Sequence, residues 1–267
     1  MVDFLQESLH LSQRRACGLV GLRTATYRYR SRRPSLEDVR ERLRHHAAAR
    51  PRFGYRRLGV LLDREGHRMN HKKLYRLYKL EHLAVRRRKR KKRVAEPRVT
   101  RPPASRPNAR WSMDFTADAL ACGRAFRTLN IVDDFTRECL ALEVDVSLPG
   151  ARVVRVLGCL VELRGKPEVI VVDNGPEFAG RVLDAWAYEQ GVTLAFIRPG
   201  KPVENAFVES FNGRFRDECL NMHHFRSVRH ARNLIEAWRQ DYNGQRPHSS
   251  LGNLTPEEFA TRHQHVA

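Results

Sequence analysis

Three acidic residues carry the chemistry that can be read in this chain: Asp114, Asp173 and Glu209. Asp173 closes the run Val169-Ile170-Val171-Val172, four apolar and mostly β-branched residues of buried-strand type, and Asn174-Gly175-Pro176 then forces a turn. Its carboxylate therefore stands at the carboxyl end of a strand, where α/β sheets place their ligands. Asp114 lies in Trp111-Ser112-Met113-Asp114-Phe115-Thr116 and Glu209 in Glu209-Ser210-Phe211-Asn212-Gly213, with 35 residues between Asp173 and Glu209. Carboxylates gathered without counter-charge raise one another's pKa and destabilise a fold. Divalent cations remove that cost. Mg²⁺ prefers carboxylate and water oxygens, and two such ions about 3.5–4 Å apart can hold the attacking and leaving oxygens of a phosphodiester exchange. Each acid alone reads as an ordinary surface charge; the three together read as a site for two Mg²⁺ (or Mn²⁺) ions.

The motifs Asp114, Asp173-Asn174-Gly175-x-Glu177-Phe178 and Lys201-Pro202-x-Glu204-Asn205-x-x-x-Glu209-Ser210-Phe211-Asn212-Gly213 resemble the DDE catalytic core shared by retroviral integrases and insertion-sequence transposases. The Asp-to-Glu interval and the tail Tyr242-Asn243-x-x-Arg246-Pro247-His248-Ser249-Ser250-Leu251-Gly252 resemble the second-reading-frame (OrfB) protein of the IS-three family. The resemblance extends over nearly the whole chain. It implies an RNase H-like catalytic core and metal-dependent DNA cleavage and strand transfer at the ends of an insertion sequence, with Asp114, Asp173 and Glu209 as catalytic metal ligands. It further implies that Lys201, Asn205 and Arg216 grip DNA phosphate, with His248 as a further carry-over. Implied partners are the element's terminal inverted repeats, target DNA and other copies of the chain. A first-frame (OrfA) partner or frameshift fusion is also expected, because this chain has no sustained heptad repeat of its own. Two other functions share these features: a catalytically inactive DNA-binding regulator from a decayed element, and an RNase H-type nuclease acting on RNA–DNA hybrids.

Composition narrows the partner independently of any family. The net charge of +20 points to a polyanion. The excess is uneven: residues 1–108 hold 31 Lys and Arg against 9 Asp and Glu, whereas residues 109–267 hold 19 against 21. That split predicts a basic helical DNA-binding region over 1–85, a basic, Pro-rich linker over 86–108 and a catalytic domain with a helical tail over 109–267. No apolar run reaches the length of a membrane helix and the start is unlike a signal peptide, so a cytoplasmic, nucleoid-associated protein is expected. The five cysteines are scattered without a C-x-x-C pair and read as reduced thiols. Cys219 with His223 and His224 lacks the further ligands of a closed zinc site.

The elements that must position the acids follow from periodicity. Ser12 caps a helix to about Gly18, and a second follows from Thr24 to Tyr29. Leu36, Val39 and Leu43 mark another from Ser35. A helix from Phe53 to Glu65, a stop at Gly66 and a helix capped by Asn70, with Leu74, Leu77 and Leu80 inward, read as a helix-turn-helix whose Arg56, Arg57, Lys72 and Lys73 face DNA. Arg86, Arg87 and Arg88 begin an unbroken basic run suited to tracking phosphate. Strands are expected at 111–116, 126–132, 138–144, 169–172 and 193–197, and helices at 151–163, about 177–190, 204–217 and 228–242. This β-β-β-α-β-α-β-α order predicts a mixed five-stranded sheet of RNase H-like type preceded by a basic all-α region. On the helix carrying Glu209, residues 205, 212, 213 and 216 share its face, and Val208, Phe211 and Phe215 share the buried one.

Overall fold

The computed structural model describes residues 1–30, 36–85, 102–175, 177, 178, 180–198 and 205–264. The chain divides into two compact units, Met1–Glu41 and Arg42–Ala267. The first begins with a helix that carries no strong sequence signal, α1 (Val2–Leu9), followed by α2 (Gln13–Leu19) and α3 (Thr24–Arg28). Ser12 caps α2 as expected, its hydroxyl accepting the Arg15 N–H at 3.4 Å. Val2, Ala16 and Cys17 form a small core on which Leu5, Leu11 and Tyr27 pack.

Helix α4 (Glu37–Ala49) runs across the division. Beyond it, α5 (Tyr55–Arg64) and α6 (His71–Leu80) form the expected helix pair, with the Asn70 side chain accepting the Lys72 N–H at 2.8 Å. The buried face of α6 is Leu74, Leu77 and Tyr78, at i, i+3 and i+4; Leu80, expected inward, falls off that stripe and is exposed. A Cβ on Gly59 would lie 2.5 Å from Leu74 Cδ2, so this glycine lets α5 and α6 approach. The division between units lies at residues 41 and 42, whereas the charge split drew it near Asn108. The reason is that α5 and its flanks are ion-paired to the catalytic half: Arg50 to Asp241, Arg52 to Asp217, Arg57 to Glu218 and Arg64 to Glu258.

The sheet consists of β1 (Arg110–Ala119), β2 (Ala125–Asp133), β3 (Cys139–Asp145), β4 (Val169–Val172) and β5 (Thr193–Phe196), in spatial order β3-β2-β1-β4-β5. The first three are antiparallel meanders; β4 and β5 run parallel to β1 and need crossovers, supplied by α7 (Gly150–Arg164) and α8 (Arg181–Gln190). The expected start of α8 near Glu177 moves to Arg181, since residues 177 and 178 form a turn.

The pleat of β1 separates two cores. Trp111 and Met113, with Phe115, join Val153, Leu157, Leu160, Leu183 and Trp186 of α7 and α8. Ser112, Asp114 and Thr116 face the other way, toward α9 (Ala206–Glu218) and α10 (Val228–Gly244). There Val208, Phe211, Phe215 and Ile235 pack with Phe126, Val132 and Val144. A last helix that the sequence reading did not anticipate, α11 (Pro256–Gln264), follows the tail. This order of strands and helices is the RNase H-like fold. No helix among the described residues is long and apolar enough to cross a membrane.

Candidate active site

The parallel register of β1 and β4 brings two of the acids together. Arg110 pairs with Val169, Trp111 with Ile170 and Ser112 with Val171, so two residues further on Asp114 is level with Asp173, immediately past the end of β4. Helix α9 crosses the same face of the sheet and carries Glu209 in its first turn.

Asp114 is fixed from both sides. Its Oδ1 accepts the Phe115 N–H at 2.8 Å and its Oδ2 accepts from Asn212 Nδ2 at 2.6 Å. Asn212 Oδ1 accepts in turn from Asn130 Nδ2 at 2.6 Å. Asn130, wholly buried, stands opposite Asp114 in the antiparallel β1–β2 register, and its amide also donates to Thr116 Oγ1 at 2.9 Å while the Thr128 hydroxyl donates to its Oδ1 at 2.8 Å. One hydrogen-bonded chain therefore joins β2, β1 and the helix of Glu209. Burial first, and then the like charges of Asp173 and Glu209, push the Asp114 carboxyl up to about 6 against the opposing pull of the Phe115 N–H and Asn212. Partial burial also raises that of Glu209. The three acids thus share one electrostatic neighbourhood, although no group of three His, Cys, Asp or Glu side chains forms a ready-made metal site among the described residues.

The turn after β4 is held as tightly as the strand. Asp173 Oδ1 accepts the Gly175 N–H at 3.0 Å, and a Cβ on Gly175 would come within 2.9 Å of that oxygen. Asn174 Nδ2 donates to the Ile197 carbonyl at 2.9 Å. Glu177 is ion-paired to Arg127 of β2, whose hydrogen bond holds its carboxyl below the usual range. The Arg127 guanidinium lies 4.4 Å over Phe115, and Phe115 stacks on Phe178 with ring centroids 4.8 Å apart. Glu177 is thus a brace for the loop.

The remaining expected contacts separate into several groups. Lys201, Arg86, Arg87 and Arg88 lie outside the described residues. Asn205 does not look into the cleft: it is buried, and its Nδ2 donates to the Met113 carbonyl at 3.1 Å, anchoring the start of α9 on β1. Arg216 is exposed and reaches the Ala117 carbonyl at 3.4 Å. Its neighbours Asp217 and Glu218 pair with Arg52 and Arg57 instead. Arg56, Lys72 and Lys73 are exposed on the helix pair. Arg57 is not: its guanidinium is desolvated and, beside Arg246, its pKa falls to about 10 while it pairs with Glu218. His248 is buried; burial and then the Arg246 charge push its pKa down to about 2. Arg246, also buried, donates twice to Glu218, so this tail motif is a structural lock. Asp133 ends β2 and Asp134 opens the turn after it, Asp133 accepting the Phe135 and Thr136 N–H groups and Asp134 the Ser112 hydroxyl. Cys219 is buried, burial pushes its thiol up to about 12, and no group of three His, Cys, Asp or Glu gathers around it among the described residues.

Asn130 and Arg127 had no signal in the sequence, because only strand pairing carries them to the acids. Asn212 had one, its i, i+3 spacing from Glu209.

Known proteins give the same picture. The integrase core domain family matches residues 104–202, a second integrase core domain family matches 190–256, and the HTH-like domain family matches 35–91. The "Insertion element IS407 uncharacterized 31.7 kDa protein" of Burkholderia multivorans is 48% identical over 264 residues, 98% of this chain and 95% of its own length. "Transposase InsD for insertion element IS2A/D/F/H/I/K" of Escherichia coli is 26% identical over 243 residues, 86% of this chain and 80% of its own. Among solved structures, a chain of the simian T-cell lymphotropic virus intasome in complex with PP2A regulatory subunit B56 gamma shares the fold, with a TM-score of 0.50 and 15% identity over 82% of this chain and 73% of its own length. Integrase core and HTH-like regions in this order, with near-full-length identity to an insertion-element protein, mean that the chain belongs to the insertion-sequence transposases of the IS-three type, in the retroviral integrase superfamily.

Proposed function

We propose that this transposase carries out divalent-metal-dependent cleavage of DNA at the ends of its element and transfer of the freed 3′-hydroxyl to target DNA, using Asp114, Asp173 and Glu209. The observation that carries this reading is the register that sets Asp114 level with Asp173 beneath the helix of Glu209, with Asn212 of that helix bonded to Asp114. The residues fit a hard cation. All three donors are carboxylates, and the proton affinity of Asp114, raised by burial and by its two acidic neighbours, is what a bound dication lowers. When bound, such ions activate the attacking hydroxyl and stabilise the departing oxygen of a phosphodiester.

The protein's own part is placement. Asn212 and the Phe115 N–H fix the rotation of the Asp114 carboxylate; the Gly175 N–H does the same for Asp173; the Arg127–Glu177 brace keeps the loop in place. Two metal ions, assembly of several copies on paired DNA ends, and a first-frame partner or fusion belong to the same proposal.

The test is strand transfer with Mg²⁺ or Mn²⁺ on duplexes carrying the element's terminal repeats. Asp114→Asn, Asp173→Asn and Glu209→Gln should each abolish cleavage and joining while duplex binding stays within about threefold of wild type, since the acids hold metal and not DNA. Wild-type joining by any one of them removes that residue from the site. Preference for an RNA–DNA hybrid would replace the transfer reaction by a nuclease.

A further inference from the structure

Helix α9 carries Glu209 in its first turn and starts without a side-chain cap. At about 100° per residue, Val208, Phe211 and Phe215 form its buried stripe, and the stripe has two flanks. Asn205 and Asn212 stand on one flank, bonded to the Met113 carbonyl and to Asp114. Phe207, half-buried, stands on the other flank, about 140° around the axis from Asn212. Apolar packing has no preferred direction, so a helix held on one flank alone can roll on its buried stripe. A roll of about 10° moves a side chain that lies ~5–6 Å from the axis by about 1 Å. A displacement of that order at a reacting group costs about 100-fold.

What Phe207 meets on its flank is positive charge. The Arg137 guanidinium lies 3.8 Å from its ring centroid and that of Arg110 5.9 Å, and the quadrupole of an aromatic face attracts a cation. Both arginines are tied to the strand that carries Asp114. Arg110 belongs to β1, and it donates to Asp134 at 2.6 Å and to the Pro102 carbonyl at 2.9 Å. Buried Asp134 also accepts the hydroxyl of Ser112, two residues before Asp114 in β1, at 2.7 Å. Arg137 sits in the β2–β3 connection, where Asp133 and Asp134 attract its charge. Its φ of 64° is in the left-handed region, which a residue with a side chain occupies only where its surroundings impose it. Its Nη1 is buried with no hydrogen-bond partner among the described residues. A strained backbone and an unpaired buried donor are both costly, and the contact they secure is the one with the Phe207 ring.

We propose that Phe207, gripped by Arg137 and Arg110, is the second attachment that fixes the roll of α9 and thereby the placement of Glu209 relative to Asp114. The three are positioning residues that act through Glu209. The inference rests on the transposase reading for the role of Glu209 as a metal ligand, but not for the clamp itself.

The experiment uses the full chain and two matched pairs of variants. Phe207→Leu keeps an apolar side chain and loses the ring face, whereas Phe207→Tyr keeps the ring. Arg137→Met keeps the stem and loses the charge, whereas Arg137→Lys keeps the charge. Thermal melts set a temperature at which every protein compared is folded, and the Arg137 pair, at a half-buried connection, carries the test if Phe207→Leu does not fold. In metal-free protein, amide hydrogen exchange over 206–210 should rise about fivefold in Phe207→Leu and Arg137→Met, with the sheet unchanged. The dissociation constant for Mn²⁺, read by electron spin resonance, should rise about tenfold in the same two variants. Single-turnover joining should fall about tenfold while affinity for the terminal duplex stays at the wild-type value. Phe207→Tyr and Arg137→Lys should recover most of each loss. Wild-type exchange and Mn²⁺ affinity in Phe207→Leu and Arg137→Met overturn the clamp, and so do equal losses in Phe207→Leu and Phe207→Tyr, which would make Phe207 ordinary packing. If exchange follows the ring and the charge but the wild type joins no DNA, the transposase reading fails and the clamp stands. If the wild type joins DNA and Phe207→Leu and Arg137→Met join it equally fast, the clamp alone fails.

Discussion

Asn212 tests whether the hydrogen-bonded chain behind Asp114 matters to function. Asn212→Ala removes the donor to Asp114 Oδ2 and the acceptor of Asn130 Nδ2. A hydrogen bond to a charged group is worth ~1.5–3 kcal/mol and a neutral one ~0.5–1.5 kcal/mol. Asn212 is half-buried, so water enters the vacated space and the lower ends apply, giving a loss of about 2 kcal/mol. At roughly 2–4 °C per kcal/mol for a chain of this size, the melt should fall by about 4–8 °C, leaving the protein folded. The rate should suffer more. Asp114 keeps only the Phe115 N–H to fix its carboxylate, and a displacement on the order of 1 Å at a reacting group costs about 100-fold. Single-turnover strand transfer, run at a temperature where both proteins are folded, should therefore fall about 100-fold in Asn212→Ala. Asn212→Asp, with the same shape but a third carboxylate facing Asp114, should fall at least as far. Thr116→Val, two hydrogen bonds further from Asp114, should lose far less. Joining by Asn212→Ala within threefold of wild type would refute the positioning role.

Three further outcomes follow from contacts around the site. Arg127→Ala and Glu177→Gln should each weaken joining, and their double variant should do no worse than the poorer single. The partly exposed pair contributes no more than ~1 kcal/mol to stability, so a double-mutant cycle on denaturation should show coupling of that size or less; additive losses in joining would separate Arg127 from the loop. The folded-state pKa of His248 is depressed, so its contribution to stability is fully present above the unfolded value near 6.5 and is lost as pH falls toward about 2. Per pH unit below 6.5 the loss is ~1.4 kcal/mol. Asp114, with its raised pKa, binds its proton earlier in the folded state and works in the opposite direction between about 6 and 3.8, so the comparison must be between proteins. Wild type should lose about 2 kcal/mol more than His248→Gln between pH 7 and pH 5 in urea denaturation, and a difference that stays constant with pH would place His248 in contact with water. Residues 109–267 expressed alone lose the ion pairs that Arg50, Arg52, Arg57 and Arg64 make with Asp241, Asp217, Glu218 and Glu258, and should melt well below the full chain. An equal melt would show that the helix pair contributes nothing to the catalytic half.

The sequence by itself determined the local structure and the identity of the acids. Alternating and apolar runs located every strand of the sheet, because side-chain period reports which face is buried, and Val208, Phe211 and Phe215 marked the inward side of α9. The helices it passed over, α1 and α11, have short or mixed patterns whose burial depends on what they dock against. Charge was a poorer guide. Counting cations treats each one as free, and it assigned Arg57 to DNA; the fold instead sets Arg50, Arg52, Arg57 and Arg64 against carboxylates far away in sequence. Motif position likewise pointed Asn205 and His248 at the cleft, whereas packing buried both. What only the tertiary structure decided is the support of the site. Asn130 stands opposite Asp114 and holds Asn212 because β1 and β2 pair in one register, and a slip of a single residue would turn it to the opposite face. Arg127 reaches Glu177 because β2 lies beside β1 under the loop that follows β4. Such contacts join residues separated by tens of positions, and no local pattern records them, because the pairing that creates them is a property of the assembled sheet.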